Sequence, residues 1–259
     1  MIGKVISIDG EELGEIELPS FFEEEIRPDL IRRAFLSSLS ARIQPWGTNV
    51  LAGKRTTAES WGPRHGVSRV PRIKGSRYHA AGRGALAPGT YGGRRAHPPK
   101  PQKRIWEKIN RKEKKLAIRS AISATASKEW VKSRGHVLGE VNLPIICDDS
   151  ISEVKRTRDV VNVFSKIGVM DDVLRAKKRR KIRAGKGKTR GRKYKKAKGP
   201  LVVLGSPGRF FLAARNLPGV DVVSATELGV EHLAPGGHPG RLTLWTPAAI
   251  ESLKERLGD

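Results

Sequence analysis

The sequence predicts an α/β protein: a Rossmann-like parallel sheet covered by helices, with a long irregular basic loop inserted and a small N-terminal hairpin. Three observations predict it. Residues 201–204 (LVVL), 220–223 (VDVV) and 242–245 (LTLW) are short continuous apolar runs, as expected of strands buried on both faces. Helical patterns alternate with these runs, which argues a parallel sheet with helices on both sides and right-handed crossovers. Residues 45–100 show neither period, and Gly and Pro recur there every few positions.

Taken in order, residues 4–8 (KVISI) alternate apolar and polar, Asp9-Gly10 is a turn dipeptide, and 15–18 (EIEL) alternates again. An antiparallel hairpin is expected, closed by Pro19. Pro28 suits the first position of a helix whose apolar face is Ile31, Ala34, Phe35 and Leu39. Glu23, Glu24 and Glu25 precede it, where they suit its dipole. After Pro98, Pro99 and Pro101 a helical pattern returns. It is basic at first, with Ile105, Trp106 and Ile109, and is then lined by Ala117, Ile118, Ala121, Ile122 and Thr125. One helix over 103–130 is expected, ended by Gly135. Residues 143–147 (LPIIC) read as a buried strand. Val160, Val163, Phe164 and Ile167 mark a helix ended by Gly168, and another starts at Val169. In the last third, helices at 208–215, 227–233 and 247–257 alternate with the strands. Thr246 is expected to cap the last, with Pro247 at its first position. The globular part is thus 1–44 with 101–259, and 45–100 is the inserted loop.

Charge points to the partner. The chain of 259 residues carries 51 Lys and Arg against 26 Asp and Glu, a formal net charge of +25. Solubility alone needs roughly 2 to 8, so a polyanion is implied. No stretch approaches the roughly 18 apolar residues of a membrane span, and the opening IGKVISIDG is not a signal peptide. Cys147 is the single cysteine, which excludes a disulfide framework and a cysteine metal site and suits a reducing cytoplasm. The loop holds Lys54, Arg55, Arg64, Arg69, Arg72, Lys74, Arg77, Arg83, Arg94, Arg95 and Lys100 against one acid, Glu59. Trp46, Trp61, Tyr78 and Tyr91 are spaced along it. Arginines that neutralise phosphates, rings that stack on bases and glycines that allow close approach suit folded RNA. A second tract, 175–198, has fifteen Lys or Arg and no acid, including Arg183, Lys186, Lys188, Arg190 and Arg192. Such a block is solvated or disordered unless an anion covers it.

Catalytic motifs fail by inspection. Gly187-Lys188-Thr189 ends like a phosphate loop, but Ile182 stands where the first glycine is required. Gly205-Ser206-Pro207-Gly208 follows a strand, yet Pro207 breaks the dinucleotide fingerprint. His65, His79, His97, His136, His232 and His238 are scattered without metal-ligand spacing, so no metal or cofactor is expected. His232 and His238 are expected to be exposed. Asp148-Asp149 at a strand end suits a helix cap or a salt bridge better than catalysis. An RNA-processing or RNA-modifying enzyme built on a Rossmann-like domain therefore has a fold class in its favour and no residues.

Two stretches, RHGVSRVPRIKG…RRAHPPK and AGKGKTRGRKYKKAKGPLVVLG, resemble the large-subunit ribosomal protein L-four family in its archaeal–eukaryotic form. The resemblance spans residues 4–257, and the length fits the archaeal type. It implies a structural rather than catalytic protein, an early and primary binder of large-subunit rRNA. It implies a loop that threads rRNA to the polypeptide exit tunnel, with a tip near Arg69, Pro71, Arg72, Ile73 and Lys74. It further implies neighbouring large-subunit ribosomal proteins and the nascent chain as partners, with no membrane and no homo-oligomer. The Gly-rich segment 79–93 does not align with the family's pattern.

Overall fold

Two strands, β1 (Ile2–Ile6) and β2 (Glu12–Glu17), open the chain as an antiparallel hairpin. Its turn is held by Ser7, whose hydroxyl accepts the amides of Asp9 and Glu11 at 3.1 Å each. Gly10 follows at φ +89°, a conformation open to glycine. A 3-10 turn at Ser20–Phe22 then buries both phenylalanines, and Phe22 meets Trp245 edge-on at 5.6 Å. The computed structural model describes residues 1–139, 141–206 and 208–258. It divides into two units, Met1–Ser40 with Glu107–Asp259, and Ala41–Trp106.

Helix α1 (Pro28–Ala41) starts on its proline as expected. Ile31 and Ala34 are buried, but Leu39 is exposed. Buried serines take its place on the inner side. Ser37 Oγ donates to the Glu107 carbonyl at 2.6 Å, and the Glu107 amide donates to Ser40 Oγ at 3.1 Å. Glu23 pairs with the N-terminal amine and Glu24 with Arg119, while Asp29 occupies the helix's first turn. Within the second unit lie β3 (Ala58–Glu59) and β4 (Arg72–Ile73).

The single helix expected over 103–130 is two: α2 (Arg111–Ala126) and α3 (Lys128–Ser133). Ser127 separates them with extended backbone, φ −86° and ψ 120°. The start is late because the Asn110 amide donates to the Glu113 carboxylate, which fixes the first turn there. The stripe of Ile105 and Trp106 is therefore not helical. The second half behaves as read, with Ala117, Ile118, Ala121, Ile122 and Thr125 all buried.

Next come β5 (Ile145–Cys147), α4 (Thr157–Ile167) and α5 (Met170–Lys178). A short antiparallel pair follows, β6 (Lys181–Ile182) with β7 (Tyr194–Lys195). The last third is β8 (Leu201–Leu204), α6 (Phe210–Ala214), β9 (Asp221–Ser224), α7 (Val230–Leu233), β10 (Thr243–Trp245) and α8 (Pro247–Leu257).

The main sheet has the order β2-β1-β5-β10-β8-β9. All its pairs are parallel except β1 with β2. The continuous apolar strands follow from a core on each face. Ile146, Leu201, Val203 and Trp245 join one cluster with α1, α2 and α8. Their strand neighbours Ile145, Cys147, Val202, Leu204 and Leu244 join a second with α4, α5 and α6. Alternation between the two cores thus makes β5 and β8 apolar at every position, while β9 carries Asp221 and Ser224 at its ends and β10 starts on Thr243.

In open parallel sheets, ligands sit beyond the carboxyl ends of strands where the winding reverses. Here that crevice is closed. A Cβ on Gly205 would lie 2.8 Å from Ala248 Cβ, and one on Gly208 would lie 2.7 Å from the Ser152 carbonyl oxygen. The loop after β8 therefore rests directly on α8 and on the turn after β5; Pro207 lies outside the described residues.

Candidate nucleic-acid interface

The loop unit has more internal order than its composition suggests. Ala58 pairs with Ile73 and Glu59 with Arg72, antiparallel. A third segment completes the ladder: Ile73 N–H donates to the Arg83 carbonyl, Gly82 N–H to that of Ile73, and Ala85 N–H to that of Pro71. Main-chain bonds do the ordering, so no side-chain period is needed, and Ala85 alone of the unit's apolar residues is fully buried. Gly53 and Gly93 let two stretches of backbone touch, since a Cβ on Gly53 would stand 2.4 Å from the Gly93 carbonyl carbon.

The residues proposed for the tip have different surroundings. Arg72 is half-buried. Its Nη1 donates to the Gly82 carbonyl at 2.9 Å and its Nη2 to Ser68 Oγ at 3.2 Å, while its guanidinium lies over the Trp61 ring at 5.4 Å. Pro71 and Ile73 are also half-buried beside it. Lys74 is exposed and paired with Glu59, and this hydrogen bond holds the Glu59 carboxyl below its usual range. Arg69 is exposed, and no described residue accepts a bond from it.

Lys54, Arg55, Arg64, Arg77, Arg83, Arg95 and Lys100 are exposed and Arg94 half-buried, and none pairs with an acid among the described residues. Lys54, Arg94, Arg95, His97 and Lys100 line one concavity of about 940 Å³. Of the aromatics, Tyr91 is 95% and Trp46 65% exposed, both open to a stacking partner. Trp61 already carries Arg72, and Tyr78 donates its hydroxyl to the Lys74 carbonyl.

The cationic tract is a shaped hairpin. Beyond the β6–β7 pair, a 3-10 turn at Lys186–Arg190 contains Gly187, Lys188 and Thr189, and Gly191 closes it at φ +76°. Arg183, Lys186, Lys188, Arg190 and Arg192 are all exposed and unpaired with any described acid. Arg180 lies 4.2 Å over the Tyr194 ring, which ties the hairpin to the end of α5. The K-I and Y-K pairs flanking a Gly-rich turn were the available signal for this hairpin.

Neither aspartate at the end of β5 is poised for chemistry. Asp148 accepts from the Ser150 hydroxyl, which lowers its pKa. Asp149 accepts the Ala248 amide at 3.3 Å and so caps α8, a hundred residues on. Thr246, expected to cap that helix, makes no such bond, and its Oγ1 is buried without a partner among the described residues. Burial pushes the Cys147 thiol up to about 12, which leaves it protonated and inert. His238 is exposed, but His232 is half-buried and its Nδ1 accepts the Gly229 amide. One polar cluster went unread: His136, Asp172 and Arg175 meet in the interior, with His136 Nδ1 2.9 Å from Asp172 Oδ2. Asp172 and Arg175 stand three apart on α5, a spacing legible in the sequence, but nothing local brings His136 to them.

The family model described as "Ribosomal protein L4/L1 family" matches residues 16–256. The chain is 56% identical over 252 residues to the large ribosomal subunit protein uL4 of Methanocaldococcus jannaschii, covering 97% of this chain and 98% of that one. It is 53% identical to that of Methanopyrus kandleri over the full length of both. The uL4 of Archaeoglobus fulgidus is 52% identical over 99% of this chain and all of its own. With a match across most of its length and relatives above half identity throughout, the chain belongs to the ribosomal protein L4/L1 family, in its archaeal type.

Proposed function

We propose that this chain is a structural constituent of the large ribosomal subunit. In this reading it binds large-subunit rRNA early in assembly, contacts neighbouring ribosomal proteins, acts in the cytoplasm within the ribosome and catalyses no reaction. The observation that carries the reading is the coincidence of full-length similarity to large-subunit proteins with two exposed cation arrays in which Lys74 alone pairs with a described acid. The globular unit supplies shape and protein contacts. The loop unit and the β6–β7 hairpin supply phosphate contacts, with specificity from the fold of the RNA. The loop reaches the exit tunnel, and Arg69 is the cation of its tip best placed to meet rRNA beside the nascent chain.

Sedimentation of native lysate tests the first part. The protein should travel with large subunits through a moderate salt wash, and a free pool outside particles would sink the reading. Arg69→Glu tests the tunnel. Purified mutant subunits with full incorporation should show altered footprints of tunnel-binding antibiotics, and wild-type footprints would place the tip elsewhere.

A further inference from the structure

The globular unit carries a second basic site, remote in sequence from the loop. A cavity of about 440 Å³ is lined by Trp130, Arg134, Arg175, Arg179, Lys198 and His238 among others, and no carboxylate lines it. Its cations come from the end of α3, from α5 with the residue after it, and from the irregular stretch between β7 and β8.

Two of the guanidinium groups are fixed in place. Arg134 donates through Nη1 to the His238 carbonyl and through Nη2 to that of Pro235 at 2.7 Å. Arg175 donates through Nε to Asp172 Oδ1 and through Nη2 to the Lys198 carbonyl, both at 2.7 Å. Nη1 of Arg175 and the whole guanidinium of Arg179 have no acceptor among the described residues. Lys198 Nζ pairs with Asp221 at 2.7 Å, but Arg241 shares that carboxylate at 2.6 Å. Five cations thus stand against two carboxylates, Asp172 and Asp221. Burial, then repulsion from Arg241 and Arg175, brings Arg134 down to about 10. An anion in the cavity would relieve that repulsion.

We propose that this cavity binds a phosphate group, with Arg179 and Nη1 of Arg175 as its donors and Arg134 and Lys198 as fixed charges behind them. The uncommitted guanidinium fork of Arg179 matches phosphate oxygens in geometry, and Arg175, already held by the fold, needs little ordering on binding. The phosphate is one of RNA or is free inorganic phosphate. The RNA source rests on the ribosomal reading above.

The test uses the full chain with Arg179→Glu, Arg175→Lys and, as a control, Lys177→Glu on the same helix outside the cavity. Arg179 and Lys177 are exposed, so their variants fold, and Arg175→Lys keeps a charge beside Asp172 while removing the fork. Two readouts are followed: phosphorus resonance of inorganic phosphate, and the salt dependence of binding to a large-subunit rRNA transcript. Arg179→Glu and Arg175→Lys should weaken inorganic phosphate about tenfold or more, the loss of one charge-assisted contact, and Lys177→Glu should not. If Arg179→Glu also makes the log–log salt slope shallower than Lys177→Glu does, by about one contact's worth, the phosphate is RNA's. A phosphate effect with equal slopes assigns the site to free phosphate. Three variants alike in both readouts overturn the proposal. A wild-type chain that binds inorganic phosphate but not the transcript leaves the cavity standing and removes the ribosomal reading.

Discussion

Arg72 lies across the indole of Trp61 with its guanidinium carbon 5.4 Å from the ring centroid, and the same guanidinium donates to the Gly82 carbonyl and Ser68 hydroxyl. A cation read from composition as an RNA contact is thus also the clasp of the loop's own ladder. Arg72→Ala removes a cation–π contact and two hydrogen bonds, together about 1 to 3 kcal/mol of local stability. Amide exchange at Ile73, Gly82 and Ala85, which bond across the ladder, should quicken about tenfold or more in the full chain. Arg69→Ala should leave those amides unchanged. Equal protection in both variants would show that the backbone ladder holds without the clasp.

Asp149 and Thr246 make a paired prediction about α8. Asp149→Ala leaves the Ala248 amide without its carboxylate and should cost about 1 kcal/mol by urea unfolding. Thr246→Val replaces a buried, unpartnered hydroxyl with a methyl of the same shape, and should be neutral or stabilising by up to about 1 kcal/mol. A large loss in Thr246→Val would mean that the hydroxyl does the capping.

The difference between what was legible and what was not is physical. The sheet was legible because strands buried on both faces are mostly apolar without alternation, as residues 201–204 are. Helix α4 was legible because Val160, Val163, Phe164 and Ile167 fall on one face and Gly168 ends it at φ +81°. Neither the late start of α2 nor the break at Ser127 was legible, because the Asn110–Glu113 pair sets the first and serine is tolerated in helices. In the candidate interface, exposed cations could be named from composition, but their pairing could not. Lys74 with Glu59, Arg72 with Trp61, and His136 with Asp172 depend on how distant or irregular segments fold back.

Gly205 offers a direct check on the closed crevice above the sheet. Gly205→Ala places a methyl 2.8 Å from Ala248 Cβ and 3.2 Å from its carbonyl carbon. Backbone on α8 must shift, at about 1 to 3 kcal/mol. The thermal midpoint should fall accordingly. An unchanged midpoint would show a loose loop there, with space for a ligand after all.

The interior cluster of His136 and Asp172 makes stability depend on pH with a definite sign. The Asp172 carboxylate can only accept, so Nδ1 of His136 carries the proton and donates to Oδ2, and the 3.3 Å approach of Arg175 Nη2 to the same nitrogen is not a hydrogen bond. Burial, with Arg175 and Arg134 against it, outweighs the attraction of Asp172 and holds His136 below its usual 6.5. Burial alone would raise Asp172, but bonds from His136 and Arg175 prevail and hold it below its usual 3.8. In both cases the unfolded chain takes up a proton first as pH falls. The histidine's contribution is full above about pH 6.5 and is lost as pH drops through its folded value. The aspartate's is full above about 3.8 and is lost further down. His136→Asn keeps an N–H beside Asp172 and cannot titrate. Urea midpoints at pH 7.5 and 5.0 should therefore fall less for His136→Asn than for the wild type; His232 titrates in both and cancels. Asp172→Asn should be worse at either pH, by about 3 to 5 kcal/mol, because Arg175 and Arg134 then share a partly buried site without its carboxylate. Equal acid losses in wild type and His136→Asn would mean that the histidine is charged in the folded state.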